Sequence, residues 1–166
     1  NYVVALTHVD FGDAPDPAYP TKLESNGARH LLIGDYYLGY GVTGEANANL
    51  AVDRYGNPIN DATGDAMDDG MFFTSALLMD SAVTLQVRAS RAGYLNAWID
   101  LNGDGDFDDA GEHVIGRTVS RGVNELSFVL PEGEVIGDTF ARFRFTSTSV
   151  GPAVGPTGLA INGEVE

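Results

Sequence analysis

The stretch Ala141-Arg142-Phe143-Arg144-Phe145-Thr146 decides the fold class. In an extended chain, successive side chains point to opposite faces. Ala141, Phe143 and Phe145 then share one face, with Arg142 and Arg144 on the other. The same period of two recurs at Val83, Leu85 and Val87, and again at Leu126, Phe128 and Leu130. Further strands are expected at Tyr2–Thr7, His30–Ile33, Tyr94–Leu101 and His113–Val119, separated by Gly, Asn, Asp and Pro as turn chemistry requires. The one helix candidate is Met71–Met79. Strands without long intervening helices predict an all-β fold, an antiparallel β-sandwich of jelly-roll-like form. The segment Gly34–Gly70 breaks the pattern. It is rich in Gly and Asn and lacks apolar periodicity, which marks a functional, metal-fastened or mobile loop.

The 166 residues fit a single domain over 1–166, expected to be one piece of a larger secreted protein. They carry 24 acidic against 9 basic residues, a net charge of −15, and no Cys. That balance argues against nucleic acid and against anionic membrane surfaces. No stretch approaches the roughly 18 apolar residues of a membrane-spanning helix. The absence of Cys excludes disulfides, Cys-ligated zinc and Cys nucleophiles. His8, His30 and His113 sit in no recognisable nucleophile, zinc-protease or phosphate-binding motif, so no enzyme activity is expected.

The acids are clustered. Asp100-Leu-Asn102-Gly-Asp104-Gly105-Asp106-Phe107-Asp108-Asp109-Ala-Gly111-Glu112 places oxygen side chains at its first, third and fifth positions, with Gly at the sixth. A tight turn of that kind wraps hard oxygen ligands around one Ca²⁺. An EF-hand would put Glu at the twelfth position, but here Gly111 stands there and a strand rather than a helix leads in. The expected ligands are Asp100, Asn102, Asp104 and Glu112, with Asp106, Asp108 and Asp109 behind them, several of which must face solvent. Asp10, Asp13 and Asp16 form a second group, three residues apart on a Gly- and Pro-containing segment. Partners for a second ion are expected from Asp65, Asp68 and Asp69, or from Glu164 and Glu166 if the chain ends meet. Asp13 and Asp16 would otherwise cap turns, which Asp does well.

Several motifs follow one another along the chain. Asp10-Phe-Gly-Asp13-Ala-Pro-Asp16 is followed by Tyr19-Pro20-Thr21 and Gly27-Ala28-Arg29-His30. Gly64-Asp65-Ala-Met-Asp68-Asp69-Gly70 stands in the middle, and Ala97-Trp98-Ile99-Asp100 leads into the acidic loop. Gly163-Glu164-Val165-Glu166 closes the chain. In this order they resemble the GEVED domain of secreted bacterial proteins. The middle run departs from the family's Asp-Glu-Asp-Gly, and the family continues past the last Glu with an Asp and an aromatic. The resemblance implies an extracellular β-rich module of a large multidomain protein, often an adhesin. Similar modules in calcium-dependent adhesins bind surface ligands, including peptides and proteins.

The reading that follows is a calcium-dependent, ligand-binding adhesion module at the bacterial cell surface, monomeric within its parent chain. Its partner is an extracellular peptide or protein group on another cell. A carbohydrate-binding module and a calcium-rigidified extender are the alternatives. Tyr19, Arg29 and His30, within the family-like motifs, and the Arg142/Arg144 pair are the candidate ligand contacts. An Arg fork suits a carboxylate or a backbone carbonyl, although in so acidic a chain it also suits a local ion pair. Trp98 is the candidate stacking platform for a sugar, or else a support for the sheet. Tyr36, Tyr37 and Tyr40 crowd one segment and suit either a recognition surface or the edge of the core.

Overall fold

The computed structural model describes residues 8–48, 52–55, 70–131 and 137–166. Ten strands run in chain order: β1 (Val9–Phe11), β2 (Arg29–Leu31), β3 (Met71–Phe73), β4 (Ala82–Ala89), β5 (Gly93–Ile99), β6 (His113–Val119), β7 (Gly122–Val129), β8 (Ala141–Thr146), β9 (Leu159–Ala160) and β10 (Glu164–Val165). Among the described residues the only helical pieces are short 3₁₀ turns at Leu23–Ser25 and Gly151–Ala153. One sheet has the order β10-β8-β5-β6, a second β3-β4-β7 and a third, small one β1-β2-β9. All pairings are antiparallel except β2 with β9. The alternating sequences explain how the two larger sheets meet. Leu85, Val87 and Ala89 of β4, with Leu126 of β7, pack against Leu95, Ala97, Ile115, Phe143 and Phe145 of the facing sheet. Fully burying side chains of this size contributes about 1.5–3 kcal/mol each.

The expected helix at Met71–Met79 is instead an edge strand followed by a turn. Met71 pairs with Val87 and Phe73 with Leu85. Met71 and Phe73 point to the core while Phe72 faces out. Period-two burial against β4 outweighs a local helical preference. The expected strand at Tyr2–Thr7 lies outside the described residues.

The far face of β8 departs from a simple sandwich. Arg142 and Arg144 were expected to point away from the core, and they do, yet both are buried. The small sheet and the segment 151–160 close over them. The closing tetrapeptide fastens this assembly. Val165 N–H donates to Asp10 Oδ2 at 2.6 Å. Glu164 accepts the Leu38 N–H, and Glu166 Oε1 accepts the Gly70 N–H at 2.8 Å. The last residues therefore hold both ends of the irregular stretch that precedes β3.

Gly163 makes this clasp possible. Its φ is +105°, and a Cβ there would lie 1.8 Å from the Phe145 carbonyl oxygen. Gly122 also has positive φ (+94°) but open space around it. Gly163→Ala is expected to cost about 3 kcal/mol or more, against about 1 kcal/mol for Gly122→Ala. Denaturant unfolding of the two variants measures the difference, and equal losses would refute the steric role of Gly163.

Candidate functional site

The loop from Asp100 to Glu112 leaves the end of β5 and returns to β6. Two of its acids are buried and act on the backbone. Asp100 Oδ1 accepts the Gly103 N–H at 2.6 Å; its Oδ2 accepts the Gly105 N–H at 3.0 Å and the Tyr19 hydroxyl at 2.6 Å. Burial alone would raise the Asp100 carboxyl. The hydrogen bonds from Tyr19, Gly105, Gly103 and Asn102 outweigh it and hold the group below the usual carboxylate range. Glu112 Oε1 accepts the Leu101 N–H at 2.9 Å and its Oε2 the Asp109 N–H at 3.2 Å. Burial, with the neighbouring charges of Asp100 and Asp109, pushes the Glu112 carboxyl up.

Three of the loop's other acids lie close to one another. Asp104, Asp106 and Asp109 each offer an oxygen within 4.8 Å of the others. Asn102 joins them through Nδ2, which donates to Asp104 Oδ2 at 3.0 Å and Asp109 Oδ2 at 2.6 Å. Ca²⁺ takes oxygens at about 2.3–2.6 Å, so ligands on opposite sides of one ion stand about 5 Å apart. The three carboxylates and the amide oxygen of Asn102, reached by a side-chain flip, fit that span. Asp100 and Glu112, expected as leading ligands, brace the loop, and Asp104, Asp106 and Asp109 face one another.

An aromatic cluster seats the loop. Tyr19, Trp98, Phe107 and Ala14 are buried together against Phe140. The Trp98 ring stacks on His113, with centroids 4.9 Å apart. Trp98 is 4% exposed, so it supports the sheet and has no open face for a sugar. Tyr19 is likewise interior, and burial together with the Asp100 hydrogen bond raises its phenol above the ordinary value.

The second expected metal group lies only partly within the described residues. Asp10, Asp13, Asp16, Glu164 and Glu166 are absent from the one acidic triad among the described residues, and Asp65, Asp68 and Asp69 lie outside those residues. Asp10 and Glu164 serve the clasp. Asp16 Oδ1 accepts the N–H groups of Thr21 (2.9 Å) and Lys22 (3.1 Å) and the Ser25 hydroxyl, the turn-capping role.

The candidate ligand forks are also interior. Arg142 donates to the Pro156 carbonyl and to Thr21 Oγ1, both at 2.9 Å, and its guanidinium lies over the Phe107 ring at 5.2 Å. Arg144 spends all its donors. Nε–H goes to His30 Nε2 at 2.9 Å, and the terminal nitrogens reach the carbonyls of Gly155, Thr157, Arg29 and Gly158 at 2.7–3.1 Å. Burial pushes it down to about 9, Arg142 and Arg29 push the same way, and it stays charged at neutral pH. Neither Arg is accessible to a ligand. Arg29 donates to the Gly27 carbonyl at 2.8 Å and is half-buried. Sequence reasoning missed the exposed Arg88, Arg91 and Arg121. Their only signal was position, since each lies in or beside a turn of an otherwise acidic chain.

The loop, its aromatic seat and the two-sheet frame define a β-sandwich module with an acid-lined turn. Residues 94–166 match the family model of the GEVED domain. No curated protein and no solved structure matches the chain. The matched residues include the acidic loop, the Arg142/Arg144 strand and the closing motif. The earlier motifs meet them through Tyr19–Asp100, His30–Arg144 and Asp10–Val165.

His30 must be neutral, because its Nε2 accepts from Arg144 while its Nδ1 donates to the Asn162 carbonyl at 2.8 Å. Burial, then the Arg144 charge, drive its pKa well below 6.5. The unfolded chain takes up a proton as pH falls through about 6.5 and the folded chain does not, so stability is present above that pH and lost below it. The slope approaches about 1.4 kcal/mol per pH unit between pH 6.5 and 5. His30→Gln, whose amide oxygen accepts from Arg144, is expected to flatten this slope in pH-dependent denaturant unfolding. An unchanged slope would refute the neutral-His30 contact.

Proposed function

We propose that this chain is a calcium-dependent ligand-binding module of a secreted, surface-attached bacterial adhesin, engaging a peptide or protein group on another cell. The observation that carries the calcium part is the Asp104, Asp106 and Asp109 triad, held within 4.8 Å by a loop whose buried acids, Asp100 and Glu112, accept backbone N–H groups. Three carboxylates fixed that closely repel one another, and a divalent cation reverses the sign of that energy. Oxygen-only ligands in a flexible turn favour Ca²⁺ over Mg²⁺, which demands near-ideal octahedral geometry. Ion binding then becomes folding energy. The adhesin context is supported by the GEVED match over residues 94–166 and by the motif order. Burial of Trp98 removes the feature that favoured a sugar platform.

Thermal unfolding in EDTA, in Ca²⁺ and in Mg²⁺ tests this reading. At Ca²⁺ about a hundredfold above its dissociation constant, the native state gains about 2.7 kcal/mol, a rise in Tm of roughly 5–10 °C for a domain of this size. Asp106→Asn and Asp109→Asn are expected to remove most of that rise, and Asp108→Asn, outside the triad, to leave it. A wild-type Tm indifferent to Ca²⁺ would overturn the reading.

A further inference from the structure

Three of the exposed arginines, Arg88, Arg91 and Arg121, gather at the end of β5 remote from the acidic loop. Arg88 and Arg91 lie at the turn between β4 and β5, and Arg121 in the turn between β6 and β7. The segment Asp35–Gly39 is fastened beside them. Leu38 bridges to Ala89, Gly39 N–H donates to the Arg88 carbonyl and Ser90 N–H to the Tyr37 carbonyl, both at 2.8 Å. This anchoring holds the tyrosines next to the arginines. Arg88 lies over the Tyr40 ring at 4.5 Å and Arg91 over Tyr36 at 5.8 Å, and Arg91 pairs with Asp35 at 3.1 Å. Arg121 is exposed and makes no hydrogen bond or ion pair among the described residues. Tyr40 is 83% exposed.

Three depressions adjoin here. The largest, about 490 Å³, is open and lined by Asp35, Tyr37, Ser90, Arg91, Ala92 and Arg121. A second, about 250 Å³, shares Asp35 and Tyr37 with it and has Tyr40 in its wall. A third, about 210 Å³, shares Tyr40 and sets Arg88 between the exposed Phe72 and Val123. Guanidinium groups backed by tyrosine rings, with apolar side chains beside them, are the composition of protein-recognition hot spots. A guanidinium fork also matches a carboxylate in two dentate contacts. Tyr36 and Tyr40 each have a ring face engaged by an Arg, which disfavours flat stacking of a sugar there.

We infer that this Arg91–Arg121 cleft, continuing past Tyr40 to Arg88 and Phe72, binds an acidic peptide segment in which carboxylate side chains alternate with apolar ones. The inference rests on the ligand-binding reading above and names its partner class. Carboxylates reach Arg91 and Arg121, where Arg91 exchanges Asp35 for the ligand. An apolar neighbour covers Phe72 and Val123. The cleft and the acidic loop stand at opposite ends of β5, about 20 Å apart at about 3.3 Å per residue. Calcium therefore does not touch this ligand.

The test uses the whole chain in Ca²⁺ and fluorescein-labelled octapeptides, read by anisotropy. The Glu-Leu repeat is expected to bind, and the Gln-Leu and Lys-Leu repeats to bind at least about tenfold more weakly. Arg91→Ala and Arg121→Ala are each expected to weaken the Glu-Leu peptide by about tenfold without lowering Tm, and Arg117→Ala, which removes the same charge elsewhere, to leave it unchanged. Raising salt from about 0.15 to about 0.5 M weakens it further. Equal binding of the Glu-Leu and Gln-Leu peptides, no loss in the Arg variants, or capture of polygalacturonate in place of the peptide would each overturn the inference. Thermal shifts in Ca²⁺ and EDTA on the same samples separate the two readings. A Ca²⁺-dependent Tm with no peptide binding sinks the cleft alone, and peptide binding with no Ca²⁺ effect sinks the calcium reading alone.

Discussion

Arg144 brings a positive charge into a place almost closed to water, and the arrangement around it exists to meet that charge. An isolated buried ion costs several kcal/mol even after relaxation. Here the compensation comes from four backbone carbonyls and one imidazole nitrogen, together taking every guanidinium donor. Those acceptors belong to Arg29 and His30 of β2 and to the segment 155–158, which are far apart in sequence. Satisfying one side chain therefore fixes the path of a loop, the tautomer of a histidine and the seat of the small sheet. A Lys at this position offers three donors from a point charge and cannot span the same fan of carbonyls.

The same economy governs the acidic loop. Asp100 and Glu112 are buried where a carboxylate is expensive, and each offsets that cost by accepting backbone N–H groups inside the loop. They set the curvature. The curvature in turn brings Asp104, Asp106 and Asp109 to face one another although their own side chains have little reason to meet. Phe107 points inward between them, under the Arg142 guanidinium and against Tyr19, so the loop is anchored to the same buried layer that Arg144 organises.

Period-two alternation made β4, β7 and β8 legible before any coordinates, because a sheet face is a local property of the chain. His113–Val119 was readable to its ends for the same reason. What lies over a strand's second face is not local. Nothing in Ala141–Thr146 says that Arg142 and Arg144 will be roofed by segments 21–30 and 155–160. Asp16 could be read two ways, as a metal ligand or a turn cap, since both need an oxygen aimed at a tight turn. The meeting with Thr21, Lys22 and Ser25 supplies the turn-capping partners, which the sequence around Asp16 does not reveal. Asp100 and Glu112 posed the same ambiguity, because backbone N–H groups and a cation attract the same oxygens. Tyr36, Tyr37 and Tyr40 were visible as a cluster, but the arginines that complete it come from two turns about 50 and 80 residues further on.

The distribution of charge links the two ends of the module. A body of net charge −15 repels an acidic partner at long range, so Arg88, Arg91 and Arg121 cannot steer one in from a distance. At physiological salt the Debye length is about 8 Å, and beyond it the distant carboxylates are largely screened. Within that range the partner meets the local cations and the tyrosines that back them. Recognition of an acidic segment by such a surface is then a contact property, strongest at intermediate salt. Too little salt leaves the overall repulsion standing, and too much screens the arginines themselves. Each Ca²⁺ held at the far loop subtracts two negative charges from the body, −15 to −13 for the first. On the proposed reading, bound calcium would ease the approach of an acidic partner through the field of the whole molecule, at an end of the sandwich it would not touch.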